Sequence, residues 1–128
     1  MIKFEYPGLI GAAMNENQYK KAQTIINRYQ EDINETFDNG MSILHFAVLN
    51  KDYPAMLFLL KNGANPDNAP FDTFTPFELA VFENIPKYIL EAMIDNGVDL
   101  YQHETLKKLK KAGRTDVINL LRKKGYEV

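Results

Sequence analysis

Apolar residues in this chain come in pairs of short helical runs separated by polar, glycine-marked breaks. The first pair carries Leu9, Ile10, Ala12, Ala13 and Met14, then Tyr19, Ala22, Ile25, Ile26 and Tyr29. A second carries Ile43, Leu44, Phe46 and Ala47, then Ala55, Met56, Phe58, Leu59 and Leu60. A third starts at Phe77, Leu79 and Ala80 and runs on to Gly97. The fourth holds Leu106 and Leu109, then Val117, Ile118, Leu120 and Leu121. Spacings of three and four put each set on one face of a helix, so the pattern predicts an all-α chain of stacked helix pairs. The boundary signals predict that Pro7 opens the first helix and Asn17 caps the second. They predict a helix from Ser42 to about Asn50, another from Pro54, one from Glu104 to Ala112, and one capped by Thr115 and ended by Gly125.

The pairs repeat. Ser42-Ile43-Leu44-His45-Phe46-Ala47 and Thr75-Pro76-Phe77-Glu78-Leu79-Ala80 lie 33 residues apart, and each leads through a helical run to a glycine, Gly63 and Gly97. A period in the low thirties marks a repeat architecture. Ser42 and Thr75 are placed to cap a helix. Pro76 suits the first helical position, where no N–H is needed. Leu44 and Phe77 point into the stack, and Ala47 and Ala80 let neighbouring helices approach. Gly63 and Gly97 close the second helices with a left-handed residue, and Gly40 opens the turn before Ser42.

The hexapeptides resemble the Thr-Pro-Leu-His-x-Ala signature of the ankyrin repeat, and Leu59-Leu60-Lys61-Asn62-Gly63-Ala64-Asn65 resembles its ending. Gly113-Arg114-Thr115-Asp116-Val117-Ile118-Asn119-Leu120-Leu121 resembles the second half of such a repeat. The resemblance implies a single domain over 1–128, an ankyrin solenoid of about four repeats with short projecting turns or hairpins. An N-terminal capping repeat would cover about 1–34, full repeats 35–67 and 68–99, and a shortened C-terminal cap 100–128. The cap is short because Gly97 to Gly113 spans 16 residues where a full repeat would span about 21. Between the third pair of helices, around Asn84-Ile85-Pro86, one residue is extra. The family's histidine, here His45, bonds backbone between neighbouring turns. Glu78 replaces it one repeat later, so that link is either lost or rebuilt around a carboxylate.

The resemblance also implies a concave surface, made of turn tips and first helices, that binds other proteins. By position it comprises Asp38, Asn39, Met41, Phe46, Leu49 and Asn50 in the second repeat. In the third it comprises Phe71, Asp72, Phe74, Leu79, Phe82 and Glu83, with Tyr101 at the start of the cap. Phe71 and Phe74 either fold back onto the stack or serve as aromatic anchors for a partner.

Composition narrows the chemistry. The 128 residues include no cysteine, which removes disulfides, thiolate catalysis and cysteine-ligated zinc. No apolar run approaches the ~20 residues of a membrane span, and the N-terminus lacks a signal-peptide core. The chain is therefore read as cytoplasmic, and the polar look of both caps reads as a monomer. The net charge of −2 hides a split. Residues 1–100 hold 7 Lys/Arg and 14 Asp/Glu, whereas residues 101–128 hold 8 and 3. Such polarity can steer a charged partner. The basic run Lys107, Lys108, Lys110 and Lys111 reads first as the solvated flank of a cap; the overall acidity disfavours nucleic acid. No phosphate loop, nucleophile motif or metal cluster is present, so no cofactor is expected and the chain is read as non-catalytic. The competing reading is a site inside the stack using His45 with Glu78 or Asp72. The expected partner is a protein with a basic, partly apolar patch. An acidic binding surface with caps at both ends suggests an immunity protein or antitoxin covering a toxin's active site. A regulatory adaptor or a host-directed bacterial effector is the alternative.

Overall fold

A computed structural model describes residues 3–29, 32–37, 40–69, 74–101 and 104–128. Asp38, Asn39, Phe71 and Asp72, all expected at turn tips, lie outside the described residues. Among those described, the regular elements are eight helices. They are α1 (Gly8–Asn15), α2 (Tyr19–Tyr29), α3 (Ile43–Leu49), α4 (Tyr53–Lys61), α5 (Pro76–Phe82), α6 (Lys87–Asp95), α7 (Thr105–Lys111) and α8 (Thr115–Lys123). Each odd helix packs on the even helix after it; α3 then packs on α5, and α4 on α6.

Short helices need defined ends, because a seven-residue helix leaves most of its backbone groups without internal partners. Here each first helix closes the same way. The N–H groups of Asn17, Lys51, Asn84 and Gly113 bond the carbonyls of Met14, Val48, Val81 and Lys110. The N–H groups one residue on, from Gln18, Asp52, Ile85 and Arg114, reach back to Ala13, Ala47, Ala80 and Leu109. This double closure needs a left-handed residue. Three of the four positions are non-glycine: Asn17 (φ 57°), Lys51 (φ 51°) and Asn84 (φ 56°). The requirement corrects two expected caps. Asn17 occupies the left-handed position, so Gln18, whose carbonyl accepts from Ala22, is the residue just before α2. Gly113 takes the same position before α8, so Arg114 precedes the helix and Thr115 is its first residue. Three further boundaries move by one residue: Pro7 stands just before α1, α4 starts at Tyr53 with Pro54 as its second residue, and Glu104, left-handed at φ 54°, stands just before α7.

The interior is continuous from end to end. Leu44, Ala47, Phe77 and Ala80 are buried, with Met56, Leu59, Ile89, Met93 and Leu109 around them. Gly63, Gly97 and Gly125, at φ between +90° and +99°, close the second helices. The extra residue of the third pair is real: four residues, 83–86, join α5 to α6, whereas three, 50–52, join α3 to α4. The shortening of the last pair lies in its projecting turn. Nine residues separate α6 from α7, against fourteen between α4 and α5, while α7 keeps the seven residues of α3 and α5. Before α3, Gly40 (φ +76°) donates to the Phe37 carbonyl and Phe37 to that of Met41, with a single bridge between Thr36 and Ser42.

The segment before α1, extended at Pro7, runs over the first two helical pairs. Gly11 makes this possible: a Cβ there would lie 2.5–2.6 Å from the Tyr6 carbonyl group. Tyr6 is buried, its N–H donates to Asn15 Oδ1 (2.8 Å), and its carbonyl accepts from Asn15 Nδ2 (3.0 Å).

Candidate protein-binding surface

The helical pairs are joined by polar side chains that also shape the inner face. His45 is buried in α3. Its Nδ1 accepts from the Ser42 N–H (2.9 Å), and the Ser42 hydroxyl lies 2.9 Å from the same nitrogen. That fixes the tautomer, so Nε2 donates to the Phe74 carbonyl at 2.7 Å, across to the next turn. Burial pushes the imidazole pKa below its ordinary 6.5, opposed by the bond to Phe74.

One pair further on, Glu78 holds the corresponding place and is completely buried. Its Oε1 accepts from the Thr75 N–H (2.9 Å), while Thr75 Oγ1 accepts from the Glu78 N–H (3.0 Å), a reciprocal cap. Its Oε2 accepts from the Thr105 hydroxyl (3.1 Å) and pairs with Lys108 Nζ (3.0 Å). The link lost with the histidine is thus rebuilt around a carboxylate, from α5 to α7. His45 and Glu78, the pair considered for an internal site, have their polar atoms engaged in these bonds. Among the described residues no cluster of three His, Cys, Asp or Glu side chains could hold a metal ion.

Lys108 has a second contact. Its Nζ sits 5.4 Å from the centroid of the Phe74 ring, and Phe74 meets Phe82 edge to face (5.2 Å, 72°). Both rings remain open to water, Phe74 at 47% and Phe82 at 37% exposure. Phe74 therefore neither folds into the core nor stands alone: its backbone is tied to His45 and its ring is braced by Phe82 and Lys108. Leu79 and Glu83, on and just after the same helix, are half-buried. Met41, Phe46, Leu49 and Asn50 are also half-buried, around α3.

Phe46 and Asn50 are already engaged. The Phe4 N–H donates to Asn50 Oδ1 (2.7 Å), Asn50 Nδ2 donates to the Phe4 carbonyl (2.7 Å), and the Phe4 ring meets Phe46 at 6.5 Å and 64°. Tyr6 Oη donates to Asp52 Oδ2 at 2.7 Å, and burial raises that phenol's pKa, with Asp52 adding to the effect. Tyr101 stands further along the chain, between α6 and α7. It is 70% exposed and lines a cleft of about 440 Å³ with Leu100, Leu106, Lys107 and Lys110.

Sequence reading missed Phe4, Tyr6 and Asn15, and took Lys108 only as one of a basic run. The strand-like alternation of Lys3-Phe4-Glu5-Tyr6, ahead of Pro7, was the available signal for the first two. Nothing local marks Lys108 among its neighbouring lysines; only the stack brings it to Glu78 and Phe74.

No helix among the described residues is long and apolar enough to cross a membrane. Neither the curated proteins nor the solved structures yield a match to the chain. Residues 9–104 match the family described as ankyrin repeats, in three copies. With three quarters of its length matched and helix pairs stacked through the same turns, this chain belongs to the ankyrin repeat family, whose repeats are protein–protein interaction modules.

Proposed function

We propose that the chain binds a partner protein through the inner face of its second and third helical pairs, covering a basic and partly apolar surface. The Phe74–Phe82 pair carries this reading. Two phenylalanine rings held open to solvent on a rigid support form an anchor, and aromatic anchors concentrate binding energy. Leu79 and Glu83 flank them, and Met41, Phe46, Leu49 and Asn50 extend the surface over α3. Asp38, Asn39, Phe71 and Asp72, outside the described residues, join it by their place in the repeat, and Tyr101 marks the far margin. The excess of 14 carboxylates over 7 basic residues through position 100 favours a basic partner.

The finer reading is an immunity protein or antitoxin that occludes a toxin's basic active site; its support is the charge of the first hundred residues. An adaptor or effector that sequesters a basic protein would use the same surface. The test is affinity capture from the native host's lysate with the unmodified chain and with a Phe74→Ala/Phe82→Ala double variant of unchanged Tm. A single basic protein should be held by the first and lost by the second. Equal capture by both would move the interface elsewhere, first to the lysines at 107–111.

A further inference from the structure

We propose that residues 3–6 occupy, in cis, a subsite for an extended basic–aromatic peptide segment, and that a partner's segment binds by displacing them. The proposal rests on the inner face being the binding surface. It adds the form of the ligand and a device that controls access.

The subsite reads backbone first. Asn50 supplies an acceptor to the Phe4 N–H and a donor to its carbonyl, as a neighbouring strand would, so any extended residue satisfies it. Side-chain choice comes from Phe46, which meets an aromatic ring edge to face.

The two ends of the occupying segment are held differently. Tyr6 is buried, crosses α1 at Gly11 and is clamped by Asn15. Phe4 is 43% exposed, and its hydrogen bonds to Asn50 face water. Contacts of that kind open locally without unfolding the core. Tyr6 is thus a hinge, and the part before it is the piece that can lift.

Direction defines the occupant further. From Phe4 to Tyr6 the chain runs from the second helical pair toward the first. A bound segment that continues this line beyond its aromatic would reach the third pair. There the position 33 residues after Asn50 is Glu83. A carboxylate accepts but cannot donate, so it suits a cation rather than a peptide group. The matching segment carries Lys or Arg just before its aromatic residue, as Lys3 precedes Phe4, and an apolar residue ahead of that for Phe74 and Phe82. A tethered competitor acts at an effective concentration of about millimolar. A free segment therefore displaces it only by adding these contacts on the third pair.

The probe is a blocked peptide, Leu-Lys-Lys-Phe-Glu, titrated into the isotope-labelled full chain and followed by NMR. Phe4→Ala should bind it at least about fivefold more tightly than the unmodified chain, because the tethered competitor keeps its backbone bonds to Asn50 but loses its ring contact with Phe46. Its resonance shifts should centre on Phe46, Asn50 and Glu83, and Asn50→Ala added to Phe4→Ala should abolish binding. A folded Phe4→Ala chain that ignores the peptide, or binds it no better than the unmodified chain, overturns the proposal. A second measurement does not depend on any variant. The Phe4 amide should exchange with solvent at least about a hundredfold faster than those of Ala47 and Leu59, through local opening. Exchange of all three only by global unfolding overturns the displaceable segment. If the peptide fails while Phe74→Ala/Phe82→Ala still loses its partner, the inner-face reading stands and this inference falls. If the peptide binds but the double variant keeps its partner, the subsite stands and the anchor at the third pair falls.

Discussion

The junction after the second helical pair and the junction after the third solve one problem with different chemistry. Each must tie a first helix to the turn that follows it, through a buried polar side chain three residues after the cap. At the first, His45 is neutral: it accepts from Ser42 and donates to the Phe74 carbonyl. At the second, Glu78 needs donors on both sides, and it takes Thr75, the Thr105 hydroxyl and the Lys108 ammonium. The imidazole bridges by itself because it carries both a donor and an acceptor. The carboxylate carries only acceptors, so its partners had to come from α7. One consequence reaches the surface. Lys108, drawn in by Glu78, also lies against the Phe74 ring. The buried exchange at position 78 therefore braces the exposed aromatic pair.

The largest effects should come from the apolar pins that both junctions share. Phe77→Ala should cost roughly 3–5 kcal/mol and Leu44→Ala roughly 2–5 kcal/mol in denaturant melts, since both side chains are fully buried. A loss under ~1 kcal/mol at Leu44 would mean that the shared apolar layer is not what holds the stack. Next comes Glu78→Ala, at about 3 kcal/mol, the low end for breaking a buried pair because Lys108 can turn to water. The same change should loosen the Phe74 ring, seen as faster ring-proton relaxation. His45→Ala should leave Phe74 as fixed at its side chain and cost less, about 1–3 kcal/mol for the unpaired Ser42 N–H and Phe74 carbonyl.

A pH series separates the junctions further. The folded pKa of His45 lies below its unfolded value of 6.5, so near and below 6.5 the unfolded chain binds the extra proton. This contribution is complete above pH 6.5 and is lost as the pH falls through that value toward the folded pKa. Urea melts at pH 7.5 and 5.5 should show that loss in the unmodified chain and a smaller one in His45→Gln. Equal losses would assign the acid sensitivity to other groups. The smallest effect should be Asn50→Ala, under about 1 kcal/mol, since its bonds to Phe4 lie in water. A larger loss would make the N-terminal segment part of what holds the second pair together.

The helical pairs, their turns and their buried face were legible because each rests on local chemistry. A left-handed closure, a capping hydroxyl and a spacing of three and four act within a few residues, so Thr75, Gly63 and Leu44 could be placed from the chain alone. The caps misplaced by one residue, Asn17 and Thr115, came from the same source: both stand where polar residues cap helices, and only the geometry of the preceding turn says otherwise. The surface was legible as a set of positions and not as an arrangement. Phe74 and Phe82 were named separately, and their contact depends on how α5 meets the turn before it.

The 33-residue period, the absence of cysteine, the charge division and the ankyrin family were determined by sequence, because repetition and composition need no third dimension. Tertiary structure alone decided three matters. It chose which lysine of the basic run becomes the partner of a buried carboxylate, since only stacking brings α7 over Glu78. It laid an extended N-terminal segment on a face that looked vacant, since Asn50 and Phe4 are 46 residues apart. It also paired the Phe74 and Phe82 rings, which the sequence offers only as separate positions. Their contact depends on how the turn before α5 is laid against that helix.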